Sequence, residues 1–375
     1  MRVVLILYFL ETLIVWTNTQ QCMDENNKPV DWYVVYKLPE IKHHHKLLKS
    51  GVAYTFMTSD NYDSWTFSNK SINSTTSILA NTINDLYSAQ GISYVLYNDQ
   101  PPPDKKSKSN KGHNKGVVMV NYTGGFWLVH SVPHFPMLGK TYIFPRTGAV
   151  FGQSFLCLSL SLENLNKVGT QLQYNQPEIY SQNINSNLKA SLPDLVKAAM
   201  NVTINTAPWY SVMEILTQKG VQFTSFAKSK AFNKDLYEDL VAPSLETDLY
   251  VETWPNGGGR LQSNCTKKYK VTNVKSVYLS AANVTFNTTH DHSKWAVTPP
   301  SQAKNWFCIG DINRAVSNVC TWMLIIEFVI FCSKKEHQKV RGGGTVCLNN
   351  KQLSTDYKKS VESIEECNKT MKGLF

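Results

Sequence analysis

The chain has 375 residues, of which 42% are hydrophobic and 18% charged, with a formal charge of +10. That balance excludes a disordered or fibrous chain and leaves room for one large domain or two ordinary ones. The Lys and Arg excess suits a polyanionic partner such as nucleic acid, and nine histidines add to it in acid.

Arg2 precedes an apolar run from Val3 to Leu10, then Leu13 to Trp16 and a polar exit at Thr17 to Gln20. This reads as a secretory signal peptide over residues 1–20. Glu11 interrupts the run, so no membrane span is expected in the mature chain. Val30 to Lys37 is rich in β-formers and predicts a strand. Ile78, Leu79, Ile83 and Leu86 recur near helical spacing within Thr75 to Ser88.

Ile92 to Tyr97 predicts a second strand. It runs into the polar segment Asn98 to Asp104 and the basic loop Lys105 to Lys111. Gly112 to Val120 reads as a strand entered through glycine, with Phe126 to Val129 as its hairpin partner and Gly124-Gly125 in the turn. Ser154 to Leu160 predicts a strand and Leu192 to Met200 a helix.

The order then repeats. Tyr269 to Leu279 has strand character, and a polar stretch leads to His290 to Val297. Each half therefore places a polar loop before a His-x-Lys: His113/Lys115 and His292/Lys294, about half the chain apart. Residues 21–190 and 191–375 read as duplicated halves of one pseudo-symmetric catalytic domain of mixed α/β class.

On a strand, residues i and i+2 share a face, so His-x-Lys presents an imidazole beside an ammonium. Two such pairs around one pocket supply what phosphodiester cleavage needs without a metal. One imidazole is the nucleophile and the other the acid, then the base, while the lysines neutralise phosphate oxygens. Neighbouring cations lower both histidine pKa values, which predicts an acidic working pH. No zinc-type cysteine spacing and no carboxylate set beside His290 and His292 point to a metal, so none is expected, nor any cofactor. His43-His-His45 reads as a solvated cluster. His134 reads as lining the cleft beside His130.

Sequons begin at Asn69, Asn73, Asn121, Asn201, Asn264, Asn283, Asn287 and Asn368. With eight cysteines they point to an oxidising, secreted or lysosomal destination.

The blocks around both pairs resemble the deoxyribonuclease II family, acid endonucleases with a phospholipase D-like active-site plan. The markers are Asp31 to Pro39, Leu96 to Pro102, Gly112 to Gly116, Gly125 to Pro133, Asp291 to Trp295, Cys308 to Arg314 and Arg341 to Cys347. The resemblance implies a duplicated sheet sandwich with flanking helices. It implies DNA as substrate, 3′-phosphate and 5′-hydroxyl ends, no metal, and a homodimer. It places His113, Lys115, His292 and Lys294 in the catalytic positions, His113 as nucleophile and His292 as acid, with His130 and Asn313 in support. It also implies the pairs Cys22–Cys157, Cys265–Cys367 and Cys308–Cys347, each contributing about 2–4 kcal/mol through loop closure.

Lys105, Lys106, Lys108 and Lys111 read equally as a DNA-tracking or a solvated loop. Arg341 is a candidate contact to the DNA backbone. The glycines after it could offer backbone N–H groups to phosphate, whereas Gly257 to Arg260 reads as a turn. One departure stands out. Between Arg314 and Arg341 the family has a short polar loop, whereas this chain carries an apolar stretch within 319–339. It reads as a translated intron, or else as a buried helix closed by a Cys320–Cys332 bond. The alternative to an enzyme is a catalytically silent secreted protein that binds DNA or a host factor on the same fold.

Overall fold

The computed structural model describes residues 20–88, 91–103, 105, 110–254, 261–323, 329–336 and 339–367. The leader up to residue 19, Lys106, Lys108, the run Gly257 to Arg260 and the Asn368 sequon lie outside the described residues.

A small antiparallel pair, β1 (Cys22–Met23) and β2 (Pro29–Val30), opens the chain. The first large sheet holds β3 (Trp32–Lys37), β4 (Tyr54–Thr58), β5 (Asn61–Phe67), β6 (Ser93–Asn98), β7 (Lys115–Asn121), β8 (Gly124–His130), β9 (Gln153–Leu160) and β10 (Ile179–Asn183). Its order is β10-β6-β7-β8-β9-β3-β4-β5, antiparallel throughout.

The second sheet holds β11 (Tyr210–Leu216), β12 (Gln222–Lys228), β13 (Leu249–Glu252), β14 (Val271–Leu279), β15 (Val284–Asn287), β16 (Trp295–Val297) and β17 (Trp306–Gly310). The hairpin β18 (Val316–Met323) and β19 (Val329–Glu336) stands apart, and β20 (Gly343–Asn349) and β21 (Val361–Ile364) return to the sheet. Here the order is β11-β12-β20-β17-β16-β13-β14-β15, with β21 also on β14. The protein is a mixed α/β fold of two large sheets and few helices.

The central strands read as unbroken apolar runs because both faces are covered. In β7, Val118 and Val120 enter the core shared by both sheets, while Val117 and Met119 enter a second core on the opposite face. The shared core also takes Leu165, Val168 and Leu172 from the helix Leu162–Asn175. Ser161 caps that helix by accepting the Asn164 N–H at 3.3 Å. Gly169 lets the next helix, Pro193–Ala199, press its backbone close, since a Cβ there would lie 2.2 Å from Leu195 N. Ile78–Ile83 and Asp85–Ser88 are helical as the spacing predicts, beginning three residues into the Thr75 to Ser88 window and interrupted at Asn84.

Three details differ from expectation. The hairpin turn is Tyr122-Thr123, because Asn121 pairs with Gly124, and both glycines belong to β8. The described flanks of the apolar stretch are strands rather than helix: they form β18 and β19, with Cys320 opposite Cys332 in the register, while 324–328 lie outside the described residues. In these flanks the period-2 pairing of β-rich residues won over helical spacing. Finally, the glycines after Arg341 run into β20, where Gly343 and Gly344 pair with Lys228 and Ala227. Gly342 is needed for close approach, since a Cβ there would meet Asn175 O at 2.3 Å.

The disulfides are Cys22–Cys157, Cys265–Cys367 and Cys308–Cys347. Sequon residues Asn69, Asn73, Asn201, Asn283 and Asn287 are exposed, whereas Asn121 and Asn264 are half-buried. The Asn264 amide nitrogen already donates to Glu238 at 2.8 Å. No helix among the described residues is long and apolar enough to cross a membrane.

Arg314 ties the second half together. Its guanidinium is 1% exposed and donates to Asp235 at 3.3 Å, to Glu238 and to Asn273. Arg314→Met should lower the unfolding free energy by about 3–5 kcal/mol, because the fully buried Asp235 then loses its cation, while the half-buried Glu238 keeps Lys267 at 3.5 Å. Urea titration of the variant against the unmutated protein checks this; a midpoint change of a few tenths of a molar or less would contradict it.

Candidate active site

The two His-x-Lys pairs meet where the sheets adjoin, but neither histidine lies on a regular strand. Lys115 is the first residue of β7, and Lys294 directly precedes β16. The His113 N–H donates to Gly342 O at 2.8 Å, and the His292 N–H to Gly152 O at 2.8 Å. Each histidine backbone is therefore pinned by chain from the other half.

The first pair is built around Asp99, at the end of β6. Asp99 Oδ2 lies 2.6 Å from His113 Nδ1, and Oδ1 accepts from Lys115 Nζ. Arg341 Nη2 donates to Asp99 Oδ2 at 3.1 Å and to Gly112 O at 3.0 Å, and its Nε donates to Lys111 O at 2.9 Å. Burial pushes the Asp99 carboxyl up, but His113, Lys115 and Arg341 together hold it well below the usual carboxylate range.

The second pair has a different anchor. His292 Nδ1 lies 3.0 Å from Ser131 O and 3.1 Å from Lys294 Nζ, which also donates to His292 O at 2.7 Å. The Trp254 ring stands edge-on to His292 at 4.7 Å and also meets Phe151 at 4.7 Å. Trp254 holds a left-handed φ of 57°, a strained conformation for a bulky residue.

The ladders make the comparison exact in register. β6 pairs Asn98 with Lys115, and β13 pairs Glu252 with Trp295. Continued past their ends, they bring Asp99 and Trp254 to matching positions. One half-site has a carboxylate where the other has an indole.

His113 is 4% exposed, His292 8%, and Lys115 and Lys294 1% each. Burial, aided by Lys115 and Arg341 and opposed by Asp99, pushes His113 down to about 3. Burial and then Lys294, Lys115 and His113 hold His292 well below the ordinary imidazole range. Lys294 is lowered by burial and by Lys115. Burial thus outweighs the neighbouring cations that the sequence pointed to.

His130, at the end of β8, is fully buried and its ring lies against Phe135 and Phe155. Asp311 accepts the Gly344 N–H at 3.0 Å, and burial pushes its carboxyl up to about 7.

The chain matches the family model for Deoxyribonuclease II over residues 21–320 and 331–367. It is 38% identical to Plancitoxin-1 of Acanthaster planci over 352 residues, covering 92% of each chain. It is 36% identical to Deoxyribonuclease-2 of Caenorhabditis elegans over 365 residues, 90% of this chain and 91% of that one. Against Deoxyribonuclease-2-alpha of Mus musculus the identity is 35% over 353 residues, covering 92% and 93%.

The chain belongs to the deoxyribonuclease II family. It is a hydrolase of the nuclease type. The family match is interrupted at residues 321–330, so the departure is narrower than 319–339: 319–320 and 331–339 fall within the family.

Among the expected residues, His113, Lys115, His292, Lys294 and His130 come together. Asn313 follows Asp311, with its Oδ1 buried and without a hydrogen-bond partner among the described residues. Arg341 spends its bonds on Asp99 and the 111–112 backbone, so the geometry uses it to brace the first half-site. Lys111 Nζ donates to Asn201 at 2.9 Å. Asp99, Trp254 and Asp311 were not singled out. Asp99 and Asp311 lie inside the quoted blocks, at the end of a strand facing a His-x-Lys or just beyond it, which is the signal that could have found them.

Proposed function

We propose that the chain is an acid endonuclease that cuts DNA without a metal, through a phosphohistidine intermediate, on a phospholipase D-like plan. The observation that supports it is the convergence of both His-x-Lys pairs with unlike anchors on the two histidines. Asp99 against Nδ1 makes His113 Nε2 the more basic nitrogen and steadies the cationic phosphoimidazole, which suits the nucleophile. His292, with a carbonyl at Nδ1 and Lys294 beside it, gives up a proton more readily, which suits the acid.

In this reading His113 Nε2 attacks phosphorus and the bond to the 5′-oxygen breaks as His292 hands that oxygen a proton. Neutral His292 then takes a proton from water, whose oxygen attacks phosphorus and displaces His113. The ends are a 3′-phosphate and a 5′-hydroxyl. Lys115 and Lys294 stabilise charge on the non-bridging oxygens.

Because both histidines resist protonation, the resting site lacks its acid at neutral pH. The anionic phosphodiester offsets the lysines and raises His292, so activity rises as pH falls. The leader, the exposed sequons and the disulfides support delivery through the secretory pathway to lysosomes or outside the cell. Family resemblance adds a homodimer.

The test is supercoiled plasmid incubated with the protein at about pH 5 in EDTA. Nicked and linear products are expected, with ends that polymerase extends only after phosphatase treatment. Intact plasmid, or cleavage restored only by a divalent metal, would reject the proposal.

A further inference from the structure

We propose that His130 is a third phosphate-binding group, a neutral imidazole whose Nε2–H donates to a non-bridging oxygen of the scissile phosphate. The proposal rests on the phosphodiesterase reading of the site and assigns His130 a role distinct from acid–base chemistry.

The tautomer is fixed by the backbone. The Val132 N–H donates to His130 Nδ1 at 3.2 Å, so Nδ1 must present its lone pair and the ring proton must sit on Nε2. The ring is fully buried, with Phe135 at 5.3 Å and Phe155 at 6.0 Å. Its Nε2 has no hydrogen-bond partner among the described residues. A buried donor left unmade is costly, and native proteins rarely tolerate one that no ligand or water satisfies.

Position supplies the partner. β7 pairs Gly116 with Val129, so the next step of the ladder sets His130 beside Lys115 on the same face. Ser154, next to His130's partner Phe155, accepts the Lys294 N–H at 3.0 Å, and Ser131 O holds His292. His130 thus stands between the two pairs. Burial, Lys115 and Lys294 all disfavour a charged ring there.

The matching place in the second sheet is Gly310, whose N–H donates to Lys294 O at 3.0 Å. One imidazole therefore serves both half-sites. A third cation in its place would further suppress protonation of His292, whereas a neutral donor adds a directed bond without that cost.

His130→Ala should lower kcat by about 10²–10³-fold, as removal of a preorganised oxyanion donor does. His130→Gln, whose amide nitrogen reaches the same place, should stay within about tenfold of the unmutated enzyme and keep both limbs of its pH profile. Equal loss in Gln and Ala with a missing limb, or full activity in Ala, would overturn the proposal. ¹⁵N imidazole spectra of the unmutated protein add a readout that needs no turnover and no variant fold. The Nε2–H tautomer should persist from about pH 7 to about pH 4 and shift on adding inorganic phosphate. Protonation at both nitrogens, or indifference to phosphate, would overturn it even if plasmid cutting is confirmed. A plasmid left intact would instead overturn only the endonuclease reading.

Discussion

His113→Ala and His292→Ala should each slow plasmid nicking at about pH 5 by at least about 10⁴-fold, and the double variant should be no slower than either single one. The expectation follows from sharing one reaction coordinate: without the nucleophile the acid has nothing to protonate, and without the acid the 5′-oxygen leaves poorly. His290→Ala is the control. His290 is exposed and two residues from His292, so ordinary activity there ties the loss to the imidazole at 292. Additive losses in the double variant would show that the two histidines act in separate sites. Initial rates of conversion of supercoiled to relaxed DNA are sufficient to decide.

The second large effect is expected at Asp99. Asp99→Asn keeps the size of the side chain but removes the charge that faces His113, Lys115 and Arg341. Three cationic or ionisable groups then share a buried site with no counter-ion, which should cost about 3–5 kcal/mol of stability. The amide can also hold His113 in the wrong tautomer, so kcat should fall by about 10²–10⁴-fold. The sign with pH is definite. Asp99 has a folded-state pKa well below its ordinary value, so its stabilisation is fully present above that ordinary value. It is lost only as pH falls through the lower, folded value. The melting difference between Asp99→Asn and the unmutated protein should therefore be as large at pH 5 as at pH 7, about 4–7 °C for a domain of roughly 350 residues. A difference that vanishes at pH 5 would mean that Asp99 is neutral there and that the bracing described above is wrong.

Strands such as β7 and β9 were legible because apolar runs of this length, bounded by Gly and polar turns, leave few alternatives. The doubled pair was legible as chemistry only through the blocks around it, since a lone His-x-Lys is ordinarily a surface feature. The anchors were hidden for a different reason. Asp99 reads as one more polar residue before a proline turn. Trp254 gains its place against His292 from a ladder between β13 and β16, more than forty residues apart in the chain. The start of the strands was also missed: His113 and His292 have β-like neighbours, but their amides are drawn to Gly342 and Gly152 outside the ladders. The apolar stretch reads as a translated intron or else a buried helix because its period is ambiguous and it matches no neighbouring pattern; the pairing of β18 with β19 shows strands in its described flanks.

Those two amide bonds also bear on how the protein can be divided. Gly342 holds His113 and Gly152 holds His292, so each half contributes the backbone that aims the other half's histidine. Although the sequence repeats its reactive motif, neither 21–190 nor 191–375 contains a complete half-reaction. A cut between them separates each imidazole from the carbonyl that aims it, and on the mechanism proposed above the joined pair is the smallest piece expected to turn over a phosphodiester.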